Sequence, residues 1–255
     1  MNLKNIIKPF LPKILLDFYW KIKYTRKKLP NYENLFSGKR GLEIGGPSLI
    51  FKTLIPIYQN IDSLDGVNFS NQTIWEGAIN KGKNFNYFKK NTGVQYIAEA
   101  THLGCIRSDS YDFVISSNCL EHVANPLQAI NEWKRVIKTG GYLLLVLPKK
   151  DSNFDFKRPY TNFDHLLADY MGNISESDMT HIDEILSMHD ITKDHGVDNF
   201  EDFEKRSKDN FNNRCMHHHV FNLELMFQIF KFFDIKTMNS DVTKTDFILL
   251  GLIRK

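Results

Sequence analysis

The histidines of this chain are concentrated in one polar stretch, which is where proton transfer chemistry is expected. Seven of the nine histidines fall between Pro148 and Phe232. Histidine changes its charge near neutral pH, and a neighbouring carboxylate can fix its tautomer. The candidate general bases are His181, which precedes Asp183 and Glu184, and the run His217, His218 and His219. We expect one of them to remove a proton from an acceptor.

The same histidines are open to two other interpretations. They could pack as a structural cluster beneath a cap, or they could bind a metal ion. Adjacent residues of an extended segment point to opposite faces, so at most two of His217, His218 and His219 could reach one ion. His181 with the acidic residues after it would also suit a divalent ion, but the spacing specifies no metal ligands.

A second group of polar residues follows a series of short apolar runs. The segment RGLEIGGPS, residues 40–48, takes an apolar strand into a glycine pair, and glycine lets the backbone approach a ligand closely. Later runs end in Asp65, in Glu99, and in Ser116, Ser117 and Asn118. The carboxyl ends of parallel strands share one edge of a sheet, where such sheets bind ligands. Acidic residues there can accept hydrogen bonds from ribose hydroxyls and an adenine amino group, so we expect an adenosine pocket.

Short apolar runs alternating with helical stretches must position these residues. This alternation is typical of a parallel sheet with crossover helices. We place strands at 40–44, 60–64, 94–97, 112–116 and 142–147, a helix at 125–138, and an antiparallel hairpin from 233–238 and 247–253. The predicted fold class is α/β: a doubly wound, mostly parallel, Rossmann-like sheet with an antiparallel C-terminal hairpin and an inserted cap.

The charge pattern divides the chain into an arm and a body. Residues 1–29 carry eight basic residues and one acidic residue, whereas the whole chain has a net charge of only +3. We predict a basic N-terminal helical arm over 1–37 and one domain over 38–255, with an acceptor-binding insertion at about 149–232. The arm could pack on the domain, hold an anionic partner, or make peripheral contact with a membrane through residues 1–29.

Composition excludes several classes of protein. The 255 residues are 42% hydrophobic and include three cysteines without CxxC spacing, which argues against disorder, a disulfide framework and a zinc knuckle. No apolar run approaches the roughly 20 residues that cross a bilayer. The body lacks a basic stripe studded with aromatic residues, so we expect no nucleic-acid partner. We expect a cytoplasmic protein.

The glycine segment and the polar strand ends resemble the class I S-adenosylmethionine-dependent methyltransferase superfamily over residues 40–148. The resemblance is to its small-molecule branch, which carries LEH or a similar motif after the fourth strand, here residues 120–122. It implies that S-adenosylmethionine is the cofactor. The glycine loop would then lie against its methionine part, with the ribose bound at Asp65, the adenine at Glu99, and the methionyl end at Ser116. The full implied cofactor site is Glu43, Gly45, Gly46, Pro47, Asp65, Gly66, Glu99, Ala100, Thr101, Ser116, Ser117, Asn118 and His122.

The sequence departs from the family pattern at two positions, and the role of His122 has two interpretations. Pro47 and Leu49 stand where the family pattern E-x-G-x-G-x-G has its second and third glycines. The missing third glycine argues against a dinucleotide, whose pyrophosphate needs it. His122 suits a packed structural residue as well as a neighbour of the cofactor.

The make-up of the cap favours a small polar acceptor. It is rich in His, Asp and Asn, and it resembles methyltransferases of bacterial surface-glycan pathways. We therefore expect O-methyl transfer to a sugar, a sugar nucleotide or a phosphate-linked group in capsule or surface polysaccharide biosynthesis, with Arg158 as a candidate phosphate clamp. The alternatives are a natural-product small-molecule methyltransferase and a non-enzymatic binding module that keeps the fold.

Overall fold

The computed structural model describes residues 32–255. Residues 1–31, which make up most of the predicted basic arm, lie outside the described residues. The strands are β1 (Arg40–Ile44), β2 (Ser63–Asn68), β3 (Gln72–Thr73), β4 (Gly77–Ala78), β5 (Gly82–Phe88), β6 (Asn91–Ile97), β7 (Tyr111–Ser117), β8 (Ile137–Pro148), β9 (Ile235–Val242) and β10 (Asp246–Ile253).

Eight of these strands form one sheet in the order β5-β6-β2-β1-β7-β8-β10-β9. The central strands β6, β2, β1, β7 and β8 are parallel, whereas β5, β10 and β9 are antiparallel to their neighbours. The chain moves outward from β1 to one side and then returns to the other. Strand order therefore reverses at β1, beside the glycine pair that follows Ile44.

Helices cover both faces of the sheet, as a doubly wound fold requires. On one face α2 (Pro126–Val136) and a late helix, α7 (Leu223–Phe232), bury their apolar sides in the larger core. On the other face α1 (Tyr32–Phe36) and two short 3-10 helices, Leu49–Lys52 and Ile57–Gln59, build a second core. The predicted fold class is confirmed. None of the helices described in residues 32–255 is both long and apolar enough to cross a bilayer.

Two differences from the predicted strands affect the site. The second strand is Ser63–Asn68 rather than 60–64, so its carboxyl end lies four residues later than predicted. The strand β5 was not predicted, because its alternation rests on only two buried residues, Phe85 and Tyr87. Its pairing with β6 extends the sheet beyond the predicted edge.

Between β8 and α7 the chain forms a compact insertion. It contains α3 (Phe163–Met171), α4 (Ile182–Met188), α5 (Phe200–Lys208) and α6 (Asn210–Asn213). Its small apolar cluster is built on Ile185, Phe203 and Met216. Although α7 falls inside the range predicted for the insertion, it packs in the main core.

Candidate active site

A cavity of about 420 Å³ opens at the carboxyl edge of the parallel strands. This is an ordinary size for a small-molecule site. The residues that line it come from the ends of β1, β2, β6 and β7 and from the insertion, and they are Ile44, Gly45, Pro47, Ser48, Leu49, Ile50, Thr53, Val67, Asn68, Phe69, Trp75, Glu76, Ala98, Glu99, Ala100, Ser117, Asn118, Cys119, His122, Val123, Glu176, Arg214 and Asp246.

Close packing on both sides of the loop after β1 requires glycine at positions 45 and 46. Gly45 has a φ of +80°, and a Cβ on it would lie 2.9 Å from Sγ of Cys119. A Cβ on Gly46 would lie 2.1 Å from the carboxyl carbon of Glu43. Any side chain at either position would therefore displace the loop that forms the cavity wall.

Glu43 lies beneath this loop rather than in the cavity. Its carboxylate is fully buried and accepts hydrogen bonds from the Tyr58 hydroxyl and from the backbone N–H of Ser48, at 2.9 Å. Burial raises the pKa of Glu43 to about 7, although both hydrogen bonds oppose the shift. The structure thus corrects the expectation that Glu43 contacts the methionine part: its side chain holds the loop in place from behind.

Asp65 is the clearest correction to the predicted site. It lies within β2, three residues before the strand ends, and accepts hydrogen bonds from Arg40, Tyr111 and the backbone N–H of Val94 at 2.7–2.9 Å. Gly66 beside it faces Phe85, where a Cβ would clash at 2.3 Å. Neither residue is among the described residues that line the cavity. The prediction of a ribose contact by Asp65 and Gly66 is therefore wrong.

Asn68 occupies the position that the sequence assigned to Asp65. It is the last residue of β2, it lines the cavity, and its Nδ2 donates to the carbonyl of Gly46 at 3.2 Å. Its Oδ1 is buried without a hydrogen-bond partner. A free acceptor at this strand end suits a hydroxyl donor on a ligand.

The predicted adenine end is partly assembled. Glu99 and Ala100 line the cavity beyond the end of β6, and Oε1 of Glu99 accepts a hydrogen bond from Arg214 at 2.9 Å. Thr101 lies one residue too far and is not among the described lining residues. Its carbonyl accepts from the side chain of Gln128 instead.

The loop after β7 divides its residues between the cavity and the sheet. Ser117, Asn118 and His122 line the cavity, and Asn118 has a φ of +49° that turns the chain away from the strand. Ser116 is buried, and its hydroxyl donates to the carbonyl of Ile44 at 3.2 Å. Ser116 therefore ties β7 to β1 and does not reach the cavity.

His122 has a defined tautomer. Its Nδ1 lies 3.2 Å from the carbonyl oxygen of Met216, which can only accept, so Nδ1 carries the proton and Nε2 carries the lone pair. Burial and the neighbouring His217 hold the pKa of His122 well below its usual value. The imidazole is therefore neutral at physiological pH, which is the form that accepts a proton.

The four predicted bases lie behind this wall. None of His181, His217, His218 and His219 is among the described residues that line the cavity. His217 comes nearest, because its ring meets the ring of His122 at a centroid distance of 4.5 Å. The other three pack among themselves and against His165. The structure thus corrects the expectation that one of these four contacts an acceptor.

His217 belongs to a buried ionic chain. Its Nδ1 bonds to Asp155, which also accepts from Arg158 at 2.9 Å. Although burial lowers it, the Asp155 carboxylate holds the pKa of His217 above its usual value, which favours the charged imidazole. Arg158 is 1% exposed and also donates to the carbonyls of His217 and His218, so it is an internal anchor and not a phosphate clamp.

Sequence reasoning missed several residues of the cavity wall. Arg214 bridges Glu99 and Glu176 at 2.9 and 2.7 Å, although it lies 115 residues from Glu99 in the sequence. Trp75 adds an aromatic wall beside His122, with a ring-centroid distance of 6.3 Å. These residues occupy isolated positions that belong to no motif. In the sequence, only Trp75, an aromatic residue in a polar segment, indicated a possible place in the site.

Comparison with known proteins identifies this architecture. Residues 59–145, from the turn before β2 into β8, match the family model described as a methyltransferase domain. A SAM-dependent methyltransferase structure from Methanosarcina mazei resembles this fold with a TM-score of 0.50 and 16% sequence identity, covering 88% of this chain and 97% of that one. Residues 59–145 thus resemble a methyltransferase domain, and the structural match shows the same fold.

Other solved structures resemble this chain at similarly low identity. One is a putative S-adenosylmethionine-dependent methyltransferase from Listeria monocytogenes, with a TM-score of 0.48, 13% identity, and coverage of 95% of this chain and 100% of that one. Another, from Thermotoga maritima, is described as a possible histamine N-methyltransferase, with a TM-score of 0.48, 15% identity, and coverage of 98% and 99%. No curated protein sequence matches the chain significantly.

S-adenosylmethionine is the cofactor that these comparisons indicate, and the cavity fits it chemically. The described lining residues include four carboxylates and one arginine, and this excess of negative charge suits a sulfonium cation. We propose that the backbone at Gly45 approaches the methionine part and that Asn68, at the end of β2, lies beside the ribose. Gly46 is not among the described lining residues and packs against Glu43 instead. Glu99 with Ala100 remains our proposal for the adenine end.

Proposed function

We propose that the domain transfers the methyl group of S-adenosylmethionine to a hydroxyl of a small polar acceptor. The acceptor class that we favour is a sugar, a sugar nucleotide or a phosphate-linked group of bacterial surface polysaccharide biosynthesis, acted on in the cytoplasm. The bound cofactor supplies a methyl group activated by its sulfonium. The protein must then exclude water, align the acceptor and remove its proton.

The observation that carries this proposal is the neutral, oriented imidazole of His122 in the cavity wall. Methylation of an alcohol releases a proton, so an alcohol needs a base close to the cofactor. The Met216 carbonyl fixes the proton of His122 on Nδ1 and leaves Nε2 to accept. We propose His122 as the general base in place of His181 and His217–His219.

The ionic chain behind His122 supports this assignment. The positive charge of His217, fixed by Asp155, disfavours a proton on His122 in the resting state. After His122 has accepted a proton, the nearby carboxylate of Glu121 offers a place for it, because both its oxygens are buried without a hydrogen-bond partner. Burial raises the pKa of Glu121 to about 7, within reach of a proton from an imidazole.

An amine acceptor is the second candidate function. The exposed ring of Trp75 and the carboxylates of Glu76, Glu176 and Asp246 on the same cavity favour a cationic ligand. An amine can lose its proton before it reacts, so it depends less on a base beside the cofactor. The two candidates therefore differ in how strongly turnover depends on His122.

The test combines cofactor binding with turnover of two acceptor classes. Thermal unfolding with saturating S-adenosylmethionine should show stabilisation of about 2.7 kcal/mol at a hundred times its Kd. Formation of S-adenosylhomocysteine is then followed with sugar nucleotides and with amines of similar size. Absence of a thermal shift would favour the binding module, and turnover only with amines would replace the hydroxyl proposal.

His122→Gln tests the base directly. With a hydroxyl acceptor we expect kcat to fall by about 10²–10⁴ with little change in the affinity for S-adenosylmethionine, because only proton transfer is lost. The exposed His102, changed to Gln, is the matched control and should keep its activity. A His122→Gln enzyme with unchanged kcat would exclude this role.

A further inference from the structure

Four residues at the base of the insertion place metal-binding atoms together, away from the cavity. His165 and Asp169 lie one turn apart on α3, His181 immediately precedes α4, and His219 belongs to the extended segment before α7. Their ligand atoms all lie within 4.8 Å of one another. None of the four lines the cavity described above.

Three distances between ligand atoms are close to the edges of a tetrahedral site. Nε2 of His165 lies 3.2 Å from Nε2 of His181 and 3.3 Å from Oδ2 of Asp169, and Nε2 of His219 lies 3.7 Å from the same oxygen. Zinc binds imidazole nitrogen and carboxylate oxygen at about 2.0–2.2 Å, which gives a tetrahedron with edges of about 3.3–3.5 Å. The atoms are already spaced close to that value.

Hydrogen bonding within the protein leaves this cluster incompletely satisfied. Oδ2 of Asp169 is buried without a hydrogen-bond partner. Nε2 of His219 lies 3.2 Å from the Ala124 carbonyl, and in the metal-free protein it donates there. When a metal binds Nε2, the proton moves to Nδ1, which has no partner of its own. An ion bound by three imidazoles and one carboxylate would satisfy the buried oxygen.

Two other groups of potential ligands are weaker candidates. Asp178 and His218 offer only two further ligands around His181. Glu121, His122 and His217 form another group, which also offers only three ligands. Among the residues that the structure describes, only the cluster on α3 brings four ligands together.

We propose that His165, Asp169, His181 and His219 bind one zinc ion that cross-links the insertion. Four protein ligands close the coordination sphere, as in structural rather than catalytic zinc sites. The ion would join α3 and the residue before α4 to the extended segment before α7, all within the insertion. This inference is independent of the acceptor and of the base.

The first experiment measures metal binding by the full-length chain. After treatment with EDTA and desalting, we expect one equivalent of Zn²⁺ to bind in calorimetry and to raise the Tm. Co²⁺ in place of Zn²⁺ should give the intense visible absorption of a four-coordinate ion. Absence of both a Zn²⁺-dependent Tm shift and stoichiometric binding would overturn the proposal.

Matched variants then locate the site. Asp169→Asn and a change of the half-exposed His165 to Ala should each weaken Zn²⁺ binding at least about tenfold. Loss of a hydrogen-bond partner of a metal ligand already lowers metal affinity by about tenfold, and loss of the ligand itself should lower it at least as much. Asp178→Asn and the exposed His195→Ala should bind as the unchanged protein does. Binding that is unaffected by Asp169→Asn, or that is lost in Asp178→Asn instead, would refute the assignment.

Discussion

At the scale of single residues, Glu43 combines full burial with a titratable charge. Its folded pKa of about 7 lies above the ordinary value of 4.5, so its contribution to stability is present at low pH and is lost as pH rises through about 7. We predict that Glu43→Gln, which stays neutral, removes this loss. Relative to the unchanged protein, the variant should gain up to about 3 kcal/mol between pH 5 and pH 8.

Urea unfolding at the two pH values measures this difference. The comparison between variant and unchanged protein isolates Glu43 from other buried carboxyls such as Glu121, which titrate in both. A difference in unfolding free energy that is the same at pH 5 and pH 8 would contradict the buried, protonated state of Glu43.

Asp65 and Asn68 separate a structural from a binding role. Asp65→Asn should lower the unfolding free energy by about 1–3 kcal/mol, because Arg40 and Tyr111 lose a charged acceptor, and it should leave cofactor affinity unchanged. Asn68→Ala should instead weaken S-adenosylmethionine binding about fivefold or more. Calorimetric titration of both variants is the measurement, and the reverse pattern would restore Asp65 to the site.

The sequence located this edge of the sheet but not the residue that ends β2. Gly45, Glu99 and Ser117 lie at this edge, as expected from the convergence of strand ends in parallel sheets, and their cofactor contacts stay predictions. Asp65 was assigned to the strand end because a charged residue is not expected inside a buried strand. Its partner Arg40, which makes that position possible, lies 25 residues away in the sequence. The polar turn that begins at Asn68 was the signal for the true end.

At the scale of elements, the N-terminus of α2 connects the sheet domain to the insertion. The side chain of Asn125 accepts from the N–H of Gln128 and donates to the carbonyls of Asp169 and Ile174. We predict that Asn125→Ala costs about 2 kcal/mol, since it removes a cap and two hydrogen bonds to partly buried carbonyls, although the Asp169 carbonyl keeps a bond from the N–H of Ile174.

The control for this change is another helix cap. Asn199 caps α5 at an exposed site and bonds only to Asp202, so Asn199→Ala should cost about 1 kcal/mol or less. Thermal unfolding of both variants measures the difference. Equal losses would show that the bonds of Asn125 to the insertion contribute nothing.

Elements with strong periodicity could be predicted, and weakly patterned ones could not. The first strand was predicted at its observed bounds, Arg40–Ile44, and the helix at 125–138 lies close to the observed Pro126–Val136. Strand β5 escaped because most of its side chains face solvent. Its position depends on pairing with β6, which a local pattern does not contain.

At the scale of the whole molecule, one buried arginine holds the insertion together. Arg158 donates to Asp155, to Glu184 and to the carbonyls of His217 and His218, which come from distant parts of the chain. Arg158→Met should cost about 3–5 kcal/mol, because it breaks a buried ion pair and leaves His217 as the remaining partner of the Asp155 carboxylate. We expect proteolysis within 149–222 to become faster.

Lys208→Met is the matched control for Arg158→Met. Lys208 pairs with Glu204 on the surface and is 62% exposed, so its loss should cost no more than about 0.5 kcal/mol. A protease-resistant insertion in Arg158→Met would show that the apolar cluster of Ile185 and Phe203 is sufficient. Contacts such as these could not be read from the sequence, because each joins residues that only the folded chain brings together.

The position of β10 has a consequence for the synthesis of the protein. This strand lies inside the sheet, hydrogen-bonded to β8 on one side and β9 on the other, yet it follows every other strand along the chain. While the ribosome still holds residues 246–253, the edge of β8 that pairs with β10 has no hydrogen-bond partner. We therefore expect nascent chains to depend on chaperones until β10 emerges, and the fold to close late and in a single cooperative step.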